Sequence, residues 1–283
     1  MLHRTEKIDF IQIPGRFGRP LLADIHYTRS HAPQPLLIFC HGFKGFKDFA
    51  YFNQLAAHIA QSGIAVLKFN FSHNGTTPEH PQVFTDLDAF SHNTFSKEAD
   101  DVQDVLRFIS DFKLSDATID TSRVYVMGHS RGGAIATVAT AENAAIKKLV
   151  TLAAVSRFGK FFSTDTIQKW KAEGIMHVEN TRTKQLLPMR YDMYEDYFKN
   201  ENRLSVERAA ARVSVPVLII HGTADATVPV QMAQELAGWI GGSQLLLIEN
   251  ADHVLGGKHP WDLSSLPPHA HEAAQAIIHF LKQ

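Results

Sequence analysis

Gly128-His129-Ser130-Arg131-Gly132-Gly133 stands between an apolar run at 123–127 and a small-residue stretch at 132–141. The run reads as a strand and the stretch as a helix. A Gly-x-Ser-x-Gly at such a junction has a mechanical meaning. The serine occupies a tight, strained strand-to-helix turn, where bulky neighbours at the two outer positions would clash. The turn lifts the hydroxyl clear of the sheet, and the following helix aims its free N–H groups at developing negative charge. Glycine and serine are common, so the hexapeptide alone is a weak signal. The strand and helix that flank it supply the specificity.

Outward from this turn the chain alternates between short apolar runs and longer helical patterns. Residues 8–13 and 21–27 read as an opening pair of strands, separated by Pro14-Gly15-Arg16-Phe17-Gly18. Residues 35–40 are continuously apolar, as in a strand buried on both faces. Phe52, Leu55, Ala56 and Ile59 give residues 49–62 a helical stripe, which Gly63 closes. A strand at 64–71 leads into a polar region, 72–94, and then a helix at 97–112 with Val102, Val105, Leu106 and Ile109 on one face. After a strand at 148–155 the alternation breaks. Residues 156–212 show no strand-like run and read as helical or irregular. It resumes with a strand at 215–220, a helix at 230–239, a strand at 244–248 and a helix at 270–281. Such alternation implies a mostly parallel sheet with helices on both faces. The break is expected to be an insertion above the sheet, being short for a domain of its own.

Composition narrows the class. With 283 residues, 45% of them hydrophobic, the chain can bury a large core and is not disordered. Lys and Arg number 28 against 29 Asp and Glu, a charge of −1 that offers nothing to nucleic acid. Protonating all 16 histidines would carry the charge to +15, so a steep change in surface field is expected below about pH 6.5. One cysteine, Cys40, permits no internal disulfide and no cysteine-rich metal site, and no metal cluster is expected. Met1-Leu2-His3-Arg4-Thr5-Glu6-Lys7 lacks the apolar core of a signal peptide, and the longest apolar runs, at 217–220 and 245–248, fall far short of a membrane span. The expectation is a cytoplasmic protein without membrane or nucleic-acid partners. There is no internal repeat and no low-complexity segment.

With its strand, turn and small-residue helix in this order, the chain resembles the α/β-hydrolase superfamily over nearly its whole length. The resemblance implies the α/β-hydrolase fold: a mostly parallel eight-stranded sheet, helices on both faces, a core of 1–155 and 213–283, and a helical cap at 156–212. That family orders its triad as nucleophile, acid and histidine, each on the loop after a strand. Here the run at 217–220 leads into His221-Gly222-Thr223-Ala224-Asp225-Ala226-Thr227-Val228-Pro229, similar to the family's acid loop with Asp225 as the carboxylate. The run at 244–248 leads into Glu249-Asn250-Ala251-Asp252-His253, where His253 matches the catalytic histidine. His41-Gly42-Phe43-Lys44-Gly45 ends the third strand, where the family supplies one oxyanion N–H. By position that donor is Phe43, and the second is Arg131, directly after the nucleophile Ser130.

Plainer readings compete at several positions. Asp225 could cap the following helix, and Asp252 is a rival acid. His259, His269 and His271 lie beside Pro260, Pro267 and Pro268 and read as solvated loop or helix-start residues. His41 reads as a structural histidine and Cys40 as a core hydrophobe. His73 and Asn74 either line the site or serve a turn. Lys44, Lys47 and Arg131 either attract an acidic substrate or, by the default for lysine, are solvated. Trp170, Tyr191, Tyr194 and Phe198 either wall an apolar substrate pocket or form the core of the insertion.

A serine at the turn disfavours haloalkane dehalogenases and epoxide hydrolases, which use aspartate there, and dienelactone hydrolases proper, which use cysteine. The resemblance implies carboxylester hydrolysis through an acyl-enzyme, without cofactor, on a small-molecule ester. Feruloyl and cinnamoyl esterase-like carboxylesterases and serine aminopeptidase-like hydrolases are the relatives it suggests, with amide or thioester hydrolysis as the alternative. Length sets aside the propeller-bearing prolyl oligopeptidase architecture. A non-catalytic binding protein on the same fold is the other class, and the complete triad argues against it.

Overall fold

The apolar run at 35–40 becomes the inner part of strand β3 (Ser30–Cys40), its side chains committed alternately to two faces. Leu36, Ile38 and Cys40 join one buried cluster, and Leu37 and Phe39 join the other. This is the period-two geometry of a strand with no solvated face, which is why the run is apolar without alternation. A computed structural model of the chain describes residues 5–158 and 163–283. The leader reading at residues 1–4 and the part of the insertion at 159–162 lie outside the described residues.

Around β3 the sheet has eight strands in the order β1-β2-β4-β3-β5-β6-β9-β10. They are β1 (Thr5–Ile13), β2 (Leu21–Thr28), β4 (Ala65–Phe69), β5 (Ala117–His129), β6 (Ile146–Leu152), β9 (Val217–Gly222) and β10 (Gln244–Ile248). The β1–β2 and β2–β4 pairings are antiparallel and the other five are parallel. The parallel registers bring Cys40 beside Gly128, His129 beside Leu152, and Ile248 beside Gly222. The strand ends that precede the candidate residues therefore lie along one edge of the sheet.

Helices α1 (Phe52–Ala60) and α10 (Pro268–Lys282) bury their apolar stripes on one face. The helices α3 (Phe95–Ile109), α4 (Arg131–Glu142), α8 (Val206–Ala210) and α9 (Gln231–Trp239) cover the other. Helix α3 begins two residues earlier than its apolar spacing indicates, because the Thr94 hydroxyl accepts the Lys97 N–H and caps it. The polar stretch 72–94 hides a short helix, α2 (Leu87–Ser91), capped in the same way by Asp86. No helix among the described residues is long and apolar enough to cross a membrane.

The insertion departs from its reading as helical or irregular. Besides α8, which packs on the sheet, residues 156–212 contain α5 (Thr164–Glu173), α6 (Asp192–Lys199) and α7 (Glu201–Leu204), but also an antiparallel hairpin, β7 (Ile175–Glu179) and β8 (Leu186–Arg190). Two features conceal the hairpin in the sequence. Pro188 lies inside β8, opposite His177, a place open to proline only because the ribbon has free edges. The turn carries Lys184 at φ 59°, where a glycine would have announced it.

Candidate functional site

Ser130 has φ 55° and ψ −122°, a left-handed conformation that a residue with a Cβ rarely adopts. Neighbouring strands hold it there. Its N–H donates to the Leu152 carbonyl at 2.9 Å, and its own carbonyl accepts from Gly133 at 3.0 Å and Val155 at 3.3 Å. The flanking glycines are required by contact. A Cβ on Gly128 would lie 2.1 Å from the Gly132 carbonyl oxygen, and one on Gly132 would lie 2.4 Å from those of Cys40 and His41. The helix thus starts directly against the end of β3, and the loop after β3 passes over the serine. A Cβ on Gly42 would come 3.0 Å from Ser130 Cβ.

Asp225 is buried in the turn after β9. Its Oδ1 accepts the N–H groups of Thr227 and Val228, both at 2.8 Å, inside its own turn, and it does not cap α9, whose N-terminal residue Val230 carries no side-chain cap. Its Oδ2 faces His253 Nδ1 at 2.8 Å and His221 Nε2 at 3.3 Å. One carboxylate therefore serves the turn and the two histidines, one oxygen each. Burial alone would raise its pKa, but the hydrogen bonds with His221 and His253 outweigh burial and hold it well below the usual carboxylate range. With Nδ1–H committed to Asp225, His253 keeps Nε2 as a proton acceptor. The rival Asp252 accepts the N–H groups of Val254 at 3.1 Å and Gly256 at 2.8 Å and shapes the next turn.

Two histidines tie these parts together: His129, given no role from sequence, and His221, which was read only as ending its strand like His41. His129 donates from Nε2 to the His253 carbonyl at 2.9 Å, with the two rings 4.8 Å apart, so His253 is fixed beside the residue preceding Ser130. Burial, chiefly, pushes His129 down to about 3, which keeps it neutral. His221 braces Asp225 and also donates to the Val228 carbonyl at 2.8 Å. Both close a strand, as His41 does, and that shared position was the available signal.

The loop after β3 is held just as closely. His41 Nδ1–H donates to the Gly42 carbonyl at 2.8 Å and Nε2 accepts the Phe71 N–H at 3.3 Å, a neutral ring that burial lowers to about 4. Asn74 donates to the Gly45 carbonyl at 3.3 Å, and the His73 ring bonds the Ser72 hydroxyl at 2.8 Å. Both belong to the turn that braces the loop. Lys47 is not solvated, contrary to the default for lysine. It is buried with its ammonium 2.7 Å from Asp24, beside a fully buried Lys68 that reaches Asp48 at 2.8 Å. His259 is likewise packed, accepting the Ala50 N–H at 3.1 Å with its ring stacked on Phe49.

The four aromatic residues read as pocket wall or core, Trp170, Tyr191, Tyr194 and Phe198, divide. Trp170 is 1% exposed and donates to the Met189 carbonyl at 2.8 Å, so it packs inside the insertion and offers no free face. Tyr191 stacks on Tyr194, and Tyr194 touches Phe198, which is 49% exposed. Tyr197, given no substrate role from sequence, meets Phe95 and Phe158, and Phe95 lies under the Arg131 guanidinium. Among the described residues no group of three His, Cys, Asp or Glu side chains is placed to hold a metal ion.

Comparison with known proteins agrees with this arrangement at the level of fold and family. The model of the prolyl oligopeptidase family matches residues 57–260, a span that includes Ser130, Asp225 and His253. YuxL, an uncharacterized peptidase of Bacillus subtilis (strain 168), is 28% identical over 140 residues, 48% of this chain and 19% of that protein. The chain thus aligns with about a fifth of that relative's length. Est1E from Butyrivibrio proteoclasticus, solved with ferulic acid bound, superposes with a TM-score of 0.72 at 19% identity, over 96% of this chain and 98% of the other. A puromycin-hydrolyzing peptidase of Mycobacterium tuberculosis superposes with a TM-score of 0.64 at 18% identity, over 100% of this chain and 39% of the other.

Proposed function

The chain belongs to the prolyl oligopeptidase family of α/β-hydrolases, and from that premise we propose that it is a serine hydrolase that cleaves carboxylic esters through an acyl-enzyme. One observation carries the proposal: the strained Ser130 turn lies beside a His253 whose Nδ1 is paired with a buried, ionised Asp225. In this reading His253 Nε2 takes the Ser130 proton as the hydroxyl attacks the ester carbonyl, and Asp225 holds the ring in that tautomer and stabilises the imidazolium. The N–H groups of Phe43 and Arg131 receive the oxyanion. His253 then returns the proton to the departing alkoxide, and water repeats the sequence to release the acid. The likeness to Est1E, solved with ferulic acid bound, supports an ester of an aromatic or other apolar acid as the first reading.

The family match and the puromycin-hydrolyzing neighbour favour amide hydrolysis as the second reading. Both readings need Ser130. Ser130→Ala is expected to lose fluorophosphonate labelling and to retain only about 10³–10⁴-fold acceleration over water. Matched p-nitrophenyl esters and aminoacyl anilides separate the readings. Esters are expected to lead in kcat/KM by more than their greater intrinsic reactivity, and anilides leading after that correction would replace the esterase reading.

A further inference from the structure

The two oxyanion donors of the proposed mechanism come from separate elements, Phe43 from the loop after β3 and Arg131 from the first turn of α4. A pair of N–H groups stabilises an oxyanion only when each lies about 2.7–3.1 Å from it, so their separation must be held within a few tenths of an ångström. The β3–β5 ladder that pairs Cys40 with Gly128 stops three residues short of each donor and does not itself join the two loops. Their side chains do. The Arg131 guanidinium lies over the Phe43 ring, 4.1 Å from its centroid, and 5.5 Å from the Phe95 centroid. Its Nη2 is 2.9 Å from Glu98 Oε1, and Asn93 Nδ2 donates to the same oxygen at 2.7 Å. The arginine side chain is 13% exposed and that of Glu98 4%.

Nothing in the serine turn itself demands a buried cation at 131, since the turn needs only small neighbours at 128 and 132. A buried ion pair is also weak evidence for stability, because desolvation offsets its attraction. What this pair does is geometric. Glu98 on α3 anchors a planar cation on α4, and the cation's face holds the ring of the β3 loop. We infer that Glu98, the Arg131 side chain and the Phe43 ring form a clamp that sets the spacing of the two oxyanion donors, so that all three are positioning residues for acyl transfer. The inference rests on the acyl-hydrolase reading. It also assigns the guanidinium no substrate contact, because Glu98 already neutralises it. The clamp therefore acts on kcat and not on KM.

The test replaces the ion pair without leaving a buried charge, as Glu98→Met with Arg131→Met, and separately removes or keeps the ring, as Phe43→Leu and Phe43→Tyr. The readouts are kcat and KM on p-nitrophenyl acetate, affinity for a trifluoromethyl ketone whose hemiketal oxyanion occupies the hole, and thermal unfolding. In the double variant and in Phe43→Leu, kcat is expected to fall at least about tenfold with KM within about twofold, below the full loss of one donor. Ketone affinity should fall in parallel, and Phe43→Tyr should restore both. Wild-type kcat in a folded double variant overturns the clamp, as does a rise in KM at constant kcat, which would make the guanidinium a substrate contact. Should the double variant not fold, Phe43→Leu against Phe43→Tyr decides, and equal kcat in the two overturns the clamp. An active Ser130→Ala would sink the acyl-hydrolase reading itself. An inactive Ser130→Ala with unaffected clamp variants would sink the clamp alone.

Discussion

At the scale of the residue, Ser130 combines the nucleophile role proposed for it with a conformational cost. A non-glycine residue at φ 55°, ψ −122° stores strain of about 1–3 kcal/mol that the surrounding hydrogen bonds must offset. Ser130→Gly is expected to be inactive yet more stable than wild type by about 1 kcal/mol, whereas Ser130→Ala keeps the Cβ and gains nothing from this source. Thermal unfolding of the two variants side by side measures the strain against the entropy cost of glycine, and equal melting temperatures would limit the strain to about 0.5–1 kcal/mol. The position was legible because its cause is local: two glycines that exclude a Cβ, a strand before and a helix after. The burial of Lys47 was not, because one partner, Asp24, is 23 residues away and the other, the adjacent Asp48, is shared with the buried Lys68 of β4.

At the scale of the element, the hairpin of the insertion does more than decorate the sheet. Lys44, next to Phe43 and at φ 54°, donates from its ammonium to the Glu179 carbonyl at 3.1 Å, while Arg182 donates to the Lys44 carbonyl at 3.0 Å. The Arg182 guanidinium also lies 4.9 Å from the Phe49 ring. Hairpin and the loop after β3 are thus tied by reciprocal side chain-to-backbone bonds. Arg182→Ala removes the hydrogen bond and the ring contact together. It is expected to expose the 175–190 ribbon to limited proteolysis and to lower kcat several-fold, the loop losing one support. Cleavage and turnover unchanged from wild type would mean that the ribbon is held by its own packing. The strands of the main sheet were readable as elements because each is a buried run. The ribbon was not, because its pairing partner lies across a turn without a glycine.

At the scale of the whole molecule, the sixteen histidines do not titrate together. Burial, the largest cause in each case, lowers His26, His41 and His73 to about 4 and His129 to about 3, and it lowers His58 and His259 as well. The steep rise in surface charge expected near pH 6.5 is therefore blunted. Its counterpart is a loss of stability. A buried imidazole whose folded pKa lies below its unfolded value of about 6.5 contributes fully above 6.5 and loses that contribution as pH falls toward the folded value. Between about pH 6.5 and 4 the unfolded chain takes up protons that the native chain refuses. Asp48 extends the loss to lower pH: burial would raise it, but Lys68 and Lys47 hold it low, so its contribution fades only below about 4. Urea midpoints measured from pH 7 to pH 4.5 are expected to fall throughout, and a flat midpoint between pH 7 and pH 5 would contradict this account.

The sequence by itself determined the alternating strands and helices, the serine turn, and the loops that carry Asp225 and His253. The strands, helices and serine turn are each written within about ten consecutive residues, through side-chain period and glycine sterics, and the two loops follow from the family resemblance that the turn carries. Only the tertiary structure decided that Asp225 divides its two oxygens between its own turn and His253, and that His129 holds the His253 backbone across 124 positions of chain. It alone decided that Trp170 packs inward while Phe198 stays exposed, and that Glu98, Arg131 and Phe43 meet. The reason is physical. A turn or a stripe is selected by neighbours in sequence, whereas the partner of a buried charge or ring is selected by which elements the sheet register brings side by side.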